Sequence, residues 1–420
     1  MVLIVNTSER TGGAAIAANR LMKALNKNGI DAKMLVLHKT SDDPCVSVIG
    51  KSWQKKWKFY RERIFIWLNN LFSKKNLFTV SIADSGFDIT KHPDFINADL
   101  IHLHWINQGF LSLESLRCIF LSNKPVIWTM HDMWECTGIC HYAYTCNNYT
   151  KECRNCLFLR FPGKHDLANR IFLKKQQLWQ NSSFSVVTVS NWLAERARTS
   201  RLLADKPIYV IPNTISISEF VPQDKNICRK ELQLPATPTK ILLFGAYRID
   251  TPIKGFDKLL QALEYLIKNQ KILPQQLHLV LFGGIKHPEQ IFKSIPITYT
   301  YKGTINENSL LAKLYSAADI LISASSYETF GQTLIEAQAC GCLPVSYNNS
   351  GQTDIIRHKE TGYLAEYPSI ESLADGILWG ITEGKKISSE TLRQNVINHY
   401  TPEIVAKQYE QLYRNKLNLT

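Results

Sequence analysis

Short apolar runs alternating with helical stretches, in two successive series, constrain this chain more than any other feature. Residues 2–6, 34–38, 99–105, 125–132, 185–190 and 208–212 each read as a strand. Helical spacing fills the intervals. Residues 14–28, for example, put Ile16, Leu21 and Leu25 on one face and are followed by Gly29. A stretch rich in Pro, charge and short polar residues at 218–239 interrupts the pattern. A second series then begins, with strands expected at 241–245, 277–284, 298–303, 318–325 and 343–347. Strands that alternate with helices run parallel, because each must return through a crossover, and parallel sheets are covered on both faces. A chain of 420 residues also exceeds one ordinary core. The expected fold is α/β, with two Rossmann-like domains whose parallel sheets face across a cleft. The first would span 1–217, the linker 218–239 and the second domain 240–400, with a last helical segment at 401–420 that could return to the first domain.

The stretch from Tyr327 to Gly341, YETFGQTLIEAQACG, stands out in the second series. It follows the apolar run ADILISAS and switches to helical spacing, with Gly341 closing the element. Phe330, Gly331, Gln332 and Thr333 fall at the helix start, where free backbone N–H groups and the positive end of the helix dipole suit a phosphate. Glu336 lies four residues after Gln332 and three after Thr333, so the three share a face. Glu328 lies in the preceding loop. One carboxylate near the phosphates and one deeper could hold the hydroxyls of a sugar and a ribose.

Charge and composition narrow the classes. The net charge of +13 fits nucleic acid, an anionic membrane or phosphorylated ligands, but no nucleic-acid recognition motif accompanies it. The opening run Val2-Leu3-Ile4-Val5 is too short for a signal peptide, and no apolar run is long enough to span a bilayer. A cytoplasmic protein is expected, free or peripheral on the inner face of the cytoplasmic membrane.

These residues carry a resemblance. Residues 328–336 are similar to the E-x7-E motif of retaining glycosyltransferases of family 4. Gly245-Ala246-Tyr247-Arg248 followed by Lys254-Gly255-Phe256-Asp257 resembles that family's Arg/Lys pair, and Gly12-Gly13 and His131 match its first-domain positions. The resemblance implies the GT-B fold, a UDP- or GDP-sugar donor, and hexosyl-type transfer with retention and without a catalytic metal. Arg248 and Lys254, with the amides around Gly331, would neutralise charge developing on the leaving diphosphate. Glu336 would accept from the ribose hydroxyls and Glu328 would orient the donor sugar. His131 would bond a sugar hydroxyl or place the acceptor. Gly12 and Gly13 would admit the diphosphate close to the main chain. In the front-face mechanism proposed for such enzymes, the departing phosphate takes the acceptor's proton. His102 and His104 read as strand-end packing or gating residues rather than catalysts.

Two further stretches bear on partners. Residues 131–156 hold five of the ten cysteines, and Cys140, Cys146, Cys153 and Cys156 follow C-x5-C-x6-C-x2-C. Clustered cysteines in a cytosolic chain favour metal over disulfides, and four thiolates suit a closed zinc site; Cys136 or His141 could replace one. The stretch resembles an insertion in family members that build polysaccharides. A structural zinc is therefore expected, with reduced thiols as the alternative. Residues 53–75 mix basic residues with aromatics and aliphatics at near-helical spacing. They fit a helix in an anionic membrane interface, a nucleic-acid-binding stretch or an amphipathic helix packed on its own domain.

The sequence thus reads as a glycosyltransferase acting on a glycan or lipid-linked acceptor in surface polysaccharide biosynthesis. A nucleotide-sugar epimerase or hydrolase on the same fold is the rival enzyme. A non-catalytic scaffold that binds sugar nucleotides is the rival of another class.

Overall fold

The computed structural model describes residues 1–417 and divides them into two compact units. One comprises Met1–Thr214 and the chain from Val405 on; the other is Ile215–Ile404.

The first unit is built on seven strands: β1 (Val2–Ser8), β2 (Ala32–His38), β3 (Val46–Val48), β4 (Leu100–Leu103), β5 (Val126–Met130), β6 (Ser185–Thr188) and β7 (Ile208–Val210). They lie in the order β3-β2-β1-β4-β5-β6-β7. All neighbours are parallel, with Ile4 opposite both Met34 and His102. Val2 to Thr7 are all buried, as a central strand covered on both faces requires. The strand order reverses between β1 and β4, so the loops after these two strands diverge and leave a crevice at their C-terminal ends. The helix Pro402–Leu417 contributes Val405, Ala406, Tyr409, Leu412 and Tyr413 to the core that holds Val2, Ile4, Leu21 and Met34.

The second unit has six parallel strands: β8 (Lys240–Arg248), β9 (Leu277–Gly284), β10 (Thr298–Tyr301), β11 (Ile320–Ser323), β12 (Leu343–Tyr347) and β13 (Tyr363–Ala365). Their order is β10-β9-β8-β11-β12-β13, and the reversal here falls between β8 and β11. The helix Phe256–Lys268 buries Phe256, Leu259, Ala262, Leu263 and Leu266, a stripe at helical spacing against the sheet. Both sheets are parallel throughout, as the alternation of strands and helices leads one to expect.

The stretch at 218–239 is more than a connector. It holds the helix Lys225–Glu231, capped by Asp224, whose Arg229 is buried and reaches Asp319 at 2.7 Å. Asp319 also accepts from Lys225 and from the Ile241 amide. A half-buried carboxylate just before β11 is satisfied by these partners, and they tie the segment to the second unit.

The helix Ser52–Asn69 is turned inside out relative to an ordinary packed amphipath. Its buried residues are Glu62, Arg63 and Ile66. Glu62 accepts from the amides of Ile82 and Ala83, and Arg63 donates to the Val80 carbonyl. Trp53, Trp57, Tyr60 and Ile64 instead face solvent at 66, 63, 57 and 50% exposure. Among the described residues no helix is long and apolar enough to cross a membrane.

Candidate functional site

In the second unit the reversal point brings together two loops, one after β8 and one after β11. Gly255 sits at φ +68°, and a Cβ there would come within 1.9 Å of the Ala324 carbonyl oxygen. Only glycine lets the two loops meet this closely. The Ser326 amide bonds the Ile253 carbonyl at 2.8 Å and ties them further. The result is an ion pair across the junction, with Lys254 Nζ 2.8 Å from Glu328 Oε2. The Glu328 amide donates to Ser350 Oγ, and its carbonyl accepts from the Gly351 amide. The carboxylate is thereby carried on a fixed backbone.

The helix Gln332–Ala339 starts immediately beyond. Gly331 caps it at φ +105°, and no side chain covers its first amides by capping. Phe330 is buried against the Tyr400 ring, which anchors the turn from within. Gln332 and Thr333 are half-buried, and Glu336 is buried one turn further in. The buried Tyr315 donates its hydroxyl to Glu336 Oε2 at 3.0 Å. Burial, and next the charge of Glu336, push the Tyr315 phenol well up, so it stays a donor.

Arg248 is held separately. Its guanidinium makes three bonds of 2.9–3.1 Å to the Asp250 carboxylate, which also accepts from the Lys286 amide. The bond from Arg248 is the largest effect holding the Asp250 carboxyl below its usual range. Lys254, Glu328, Glu336 and residues 330–333 thus share one end of the sheet, while Arg248 leaves its strand aimed by Asp250. Asp250, Tyr315 and Ser350 were missed by sequence reasoning. Asp250 could have been found, because it follows Arg248 by two residues; nothing in the sequence links Tyr315 to Glu336.

In the first unit Gly12 opens the helix Gly13–Lys27 at φ +90°, ψ 163°, a conformation reserved for glycine. A Cβ at Gly12 or Gly13 would meet no atom within 4 Å, so the main chain borders open space there. The loop is pinned from beneath by the buried Glu9, which accepts from the amides of Thr40 and Ser41. His131 follows β5 and is half-buried. Its Nε2 lies 2.8 Å from Nδ1 of His104, and loss of hydration takes its pKa down to about 4. Next to it, Asp132 accepts from Trp105 Nε1 and pairs with His141 Nδ1, each at 2.8 Å. Burial opposes the Asp132 charge, but His141 and these bonds hold its carboxyl below the usual range. His141 Nε2 lies 3.0 Å from Ser81 Oγ, so His141 ties the cysteine-rich loop to the segment at Ser81 and, through Asp132, to the end of β5.

The cysteines of that loop are free. Burial raises the thiols of Cys140, Cys153 and Cys156, the last two to about 12 and about 11. Each also feels Cys146, or the others, as a neighbouring charge, so the four occupy one neighbourhood. Among the described residues, however, no three His, Cys, Asp or Glu side chains are grouped so that they could hold a metal ion. Polar contacts also hold the loop. Lys175, buried over the Trp134 ring at 3.2 Å, donates to the carbonyls of Trp134 and Thr137. Burial takes its pKa down to about 7.

Comparison with known proteins covers both units. Residues 11–219 match the family described as Glycosyltransferase Family 4, and residues 224–399 match Glycosyl transferases group 1. Among curated relatives, the N-acetyl-alpha-D-glucosaminyl L-malate synthase of Bacillus anthracis is 29% identical over 26% of this chain and 29% of its own length. A D-inositol 3-phosphate glycosyltransferase of Geodermatophilus obscurus is 26% identical over 43% of each chain. The chain therefore spans less than half the length of these relatives. Among solved structures, sucrose-phosphate synthase from Thermosynechococcus elongatus superposes with a TM-score of 0.70 at 19% identity, covering 100% of this chain and 99% of its own. Anabaena HepE, in complex with UDP and glucose, gives 0.63 at 15% identity, covering 99% of each. These likenesses carry the fold.

Proposed function

For this chain, a GT-B glycosyltransferase of the group 1 and family 4 type, we propose transfer of a hexosyl-type sugar from a UDP- or GDP-sugar, with retention and without a catalytic metal. The acceptor is a glycan or lipid-linked oligosaccharide of surface polysaccharide biosynthesis. The observation that carries this reading is the Lys254–Glu328 pair beside the open start of the helix Gln332–Ala339. A cation, a helix N-terminus without a side-chain cap and a carboxylate suit a diphosphate joined to a sugar.

The diphosphate draws Lys254 from Glu328 and meets the amides of residues 331–333, so charge developing on the leaving phosphate is neutralised without reorganisation. Glu328, released from the lysine, orients the sugar hydroxyls. Glu336, with Oε2 held by Tyr315, accepts from the ribose hydroxyls. Arg248, aimed by Asp250, adds a second cation at the phosphates. Gly12 and Gly13 let the diphosphate approach the main chain, and His131 bonds a hydroxyl of the donor sugar or the acceptor. The departing phosphate oxygen takes the acceptor's proton on the same face. That UDP and glucose are bound by HepE supports a nucleotide-sugar donor. A screen of nucleotide sugars for thermal stabilisation and nucleotide release tests the reading.

The outward aromatic face of Ser52–Asn69, with Lys56 and Arg61 on the same helix, supports contact with an anionic membrane surface, where a lipid-linked acceptor would reside. A structural zinc on Cys140, Cys146, Cys153 and Cys156 remains part of the proposal. It rests on their spacing and shared neighbourhood, and it requires thiolates regrouped from the positions described. Elemental analysis of purified protein decides it, with about one zinc per chain expected and none as the contrary result.

A further inference from the structure

His131 is joined to a buried chain of polar groups. Its Nε2 meets Nδ1 of His104 at 2.8 Å, with the two rings stacked at 5.1 Å. His104 is 1% exposed and packs on His102 with ring centroids 4.3 Å apart. His102 in turn is fully used, Nδ1 with the Tyr413 hydroxyl at 2.8 Å and Nε2 with Thr129 Oγ1 at 2.7 Å. Thr129 Oγ1 also meets the Tyr409 hydroxyl at 3.1 Å. Two residues of the closing helix therefore brace the histidine layer from behind.

Burial keeps His104 and His131 neutral at pH 7, so one proton lies between their facing nitrogens, donated by one ring and accepted by the other. The remaining nitrogen of His104 decides which. His104 Nε2 is buried and has no hydrogen-bond partner among the described residues. A proton there would be an orphaned buried N–H, which folded proteins avoid more strictly than an under-used acceptor. The His104 proton therefore sits on Nδ1 and is donated to His131 Nε2. A neutral His131 whose Nε2 accepts must carry its own proton on Nδ1.

We propose that His104 is a positioning residue that fixes His131 as the Nδ1–H tautomer, so that His131 meets the substrate as a hydrogen-bond donor rather than as a base. This deepens the proposed function and rests on its placing of His131 against substrate. It also accords with a mechanism in which the leaving phosphate, and not a side chain, takes the acceptor's proton.

The test separates the two claims. Two-bond proton–nitrogen spectra of full-length protein labelled with 15N-histidine, with His131 assigned from the signals lost in His131→Gln, report the tautomer without any substrate. Protonated Nδ1 and bare Nε2 on His131 are expected. The Nε2–H tautomer would overturn the proposal, whatever the activity. His104→Phe keeps a ring but removes the donor. It should release His131 from the Nδ1–H form and lower kcat by about tenfold, the size of one neutral hydrogen bond, with KM for donor little changed. His104→Asn, whose amide N–H can replace Nδ1–H, should recover most of the loss. If the wild-type tautomer is as expected but His131→Gln transfers sugar at full rate, the contact of His131 with substrate is what fails.

Discussion

Lys254 Nζ lies 2.8 Å from Glu328 Oε2, although 74 residues separate them. Both side chains are partly exposed, at 30 and 20%. A pair this accessible contributes at most about 1 kcal/mol to stability, so its cost in flexibility is better explained by function. Lys254→Ala should leave the melting temperature nearly unchanged and lower kcat by about a hundredfold, the scale on which one charge-stabilising group acts. Glu328→Gln should lose less in kcat and more in discrimination among sugars. Steady-state kinetics beside thermal melts check this, and a Lys254→Ala variant that unfolds would mark the pair as structural.

Tyr315→Phe removes only the hydroxyl that holds Glu336 Oε2 at 3.0 Å. One neutral-to-charged hydrogen bond supplies about 1.5–3 kcal/mol. If Glu336 binds the ribose, KM for donor should rise by about tenfold or more while kcat moves little. An unchanged KM would separate Glu336 from the donor.

The pH dependence of stability should show His131. Its folded pKa, about 4, lies below the value of about 6.5 for an unfolded chain. As pH falls from about 6.5 towards 4, the unfolded chain takes a proton that the folded one refuses, and stability is lost. The buried Glu135, whose carboxyl is raised by burial, works in the opposite sense, so total stability is a poor readout. The difference between wild type and His131→Gln isolates the term. The variant should gain relative to wild type by up to about 3 kcal/mol across that window, as read by urea unfolding at each pH. A difference independent of pH would mean that the folded chain takes up the His131 proton as readily as the unfolded one.

The helix Ser52–Asn69 should bind anionic vesicles. Trp53→Ser with Trp57→Ser removes two exposed rings and should abolish co-flotation with anionic liposomes while leaving the fold intact. High salt should weaken wild-type binding as well. Wild-type protein that fails to float would leave the aromatic face without a lipid partner.

Much of the scaffold was legible because parallel strands write themselves as short apolar runs. The long central strands and the turn from β11 into the helix Gln332–Ala339 came from period alone. The edge strands β3 and β13 did not, whereas β7, also three residues long, was read within residues 208–212. The segment at 218–239 misled because its Pro and charge are real, while the burial of Arg229 against Asp319 is a long-range event. The helix Ser52–Asn69 was legible as a helix but not in orientation. The sequence shows aromatics and charges interleaved, and only the partners at Val80, Ile82 and Ala83 show that the charged side turns inward. At the site, Lys254 and Glu328 could each be named, but their contact depends on Gly255 passing Ala324, which no local spacing encodes.

The most direct test of the central claim is a donor screen. Purified protein is melted and assayed for released nucleotide with UDP-, GDP-, ADP- and CMP-sugars, with Glu336→Ala alongside. Stabilisation and turnover with one UDP- or GDP-sugar, lost in the variant, is the expected result. No stabilisation and no release with any of them would contradict transfer from a nucleotide sugar and favour a non-catalytic role.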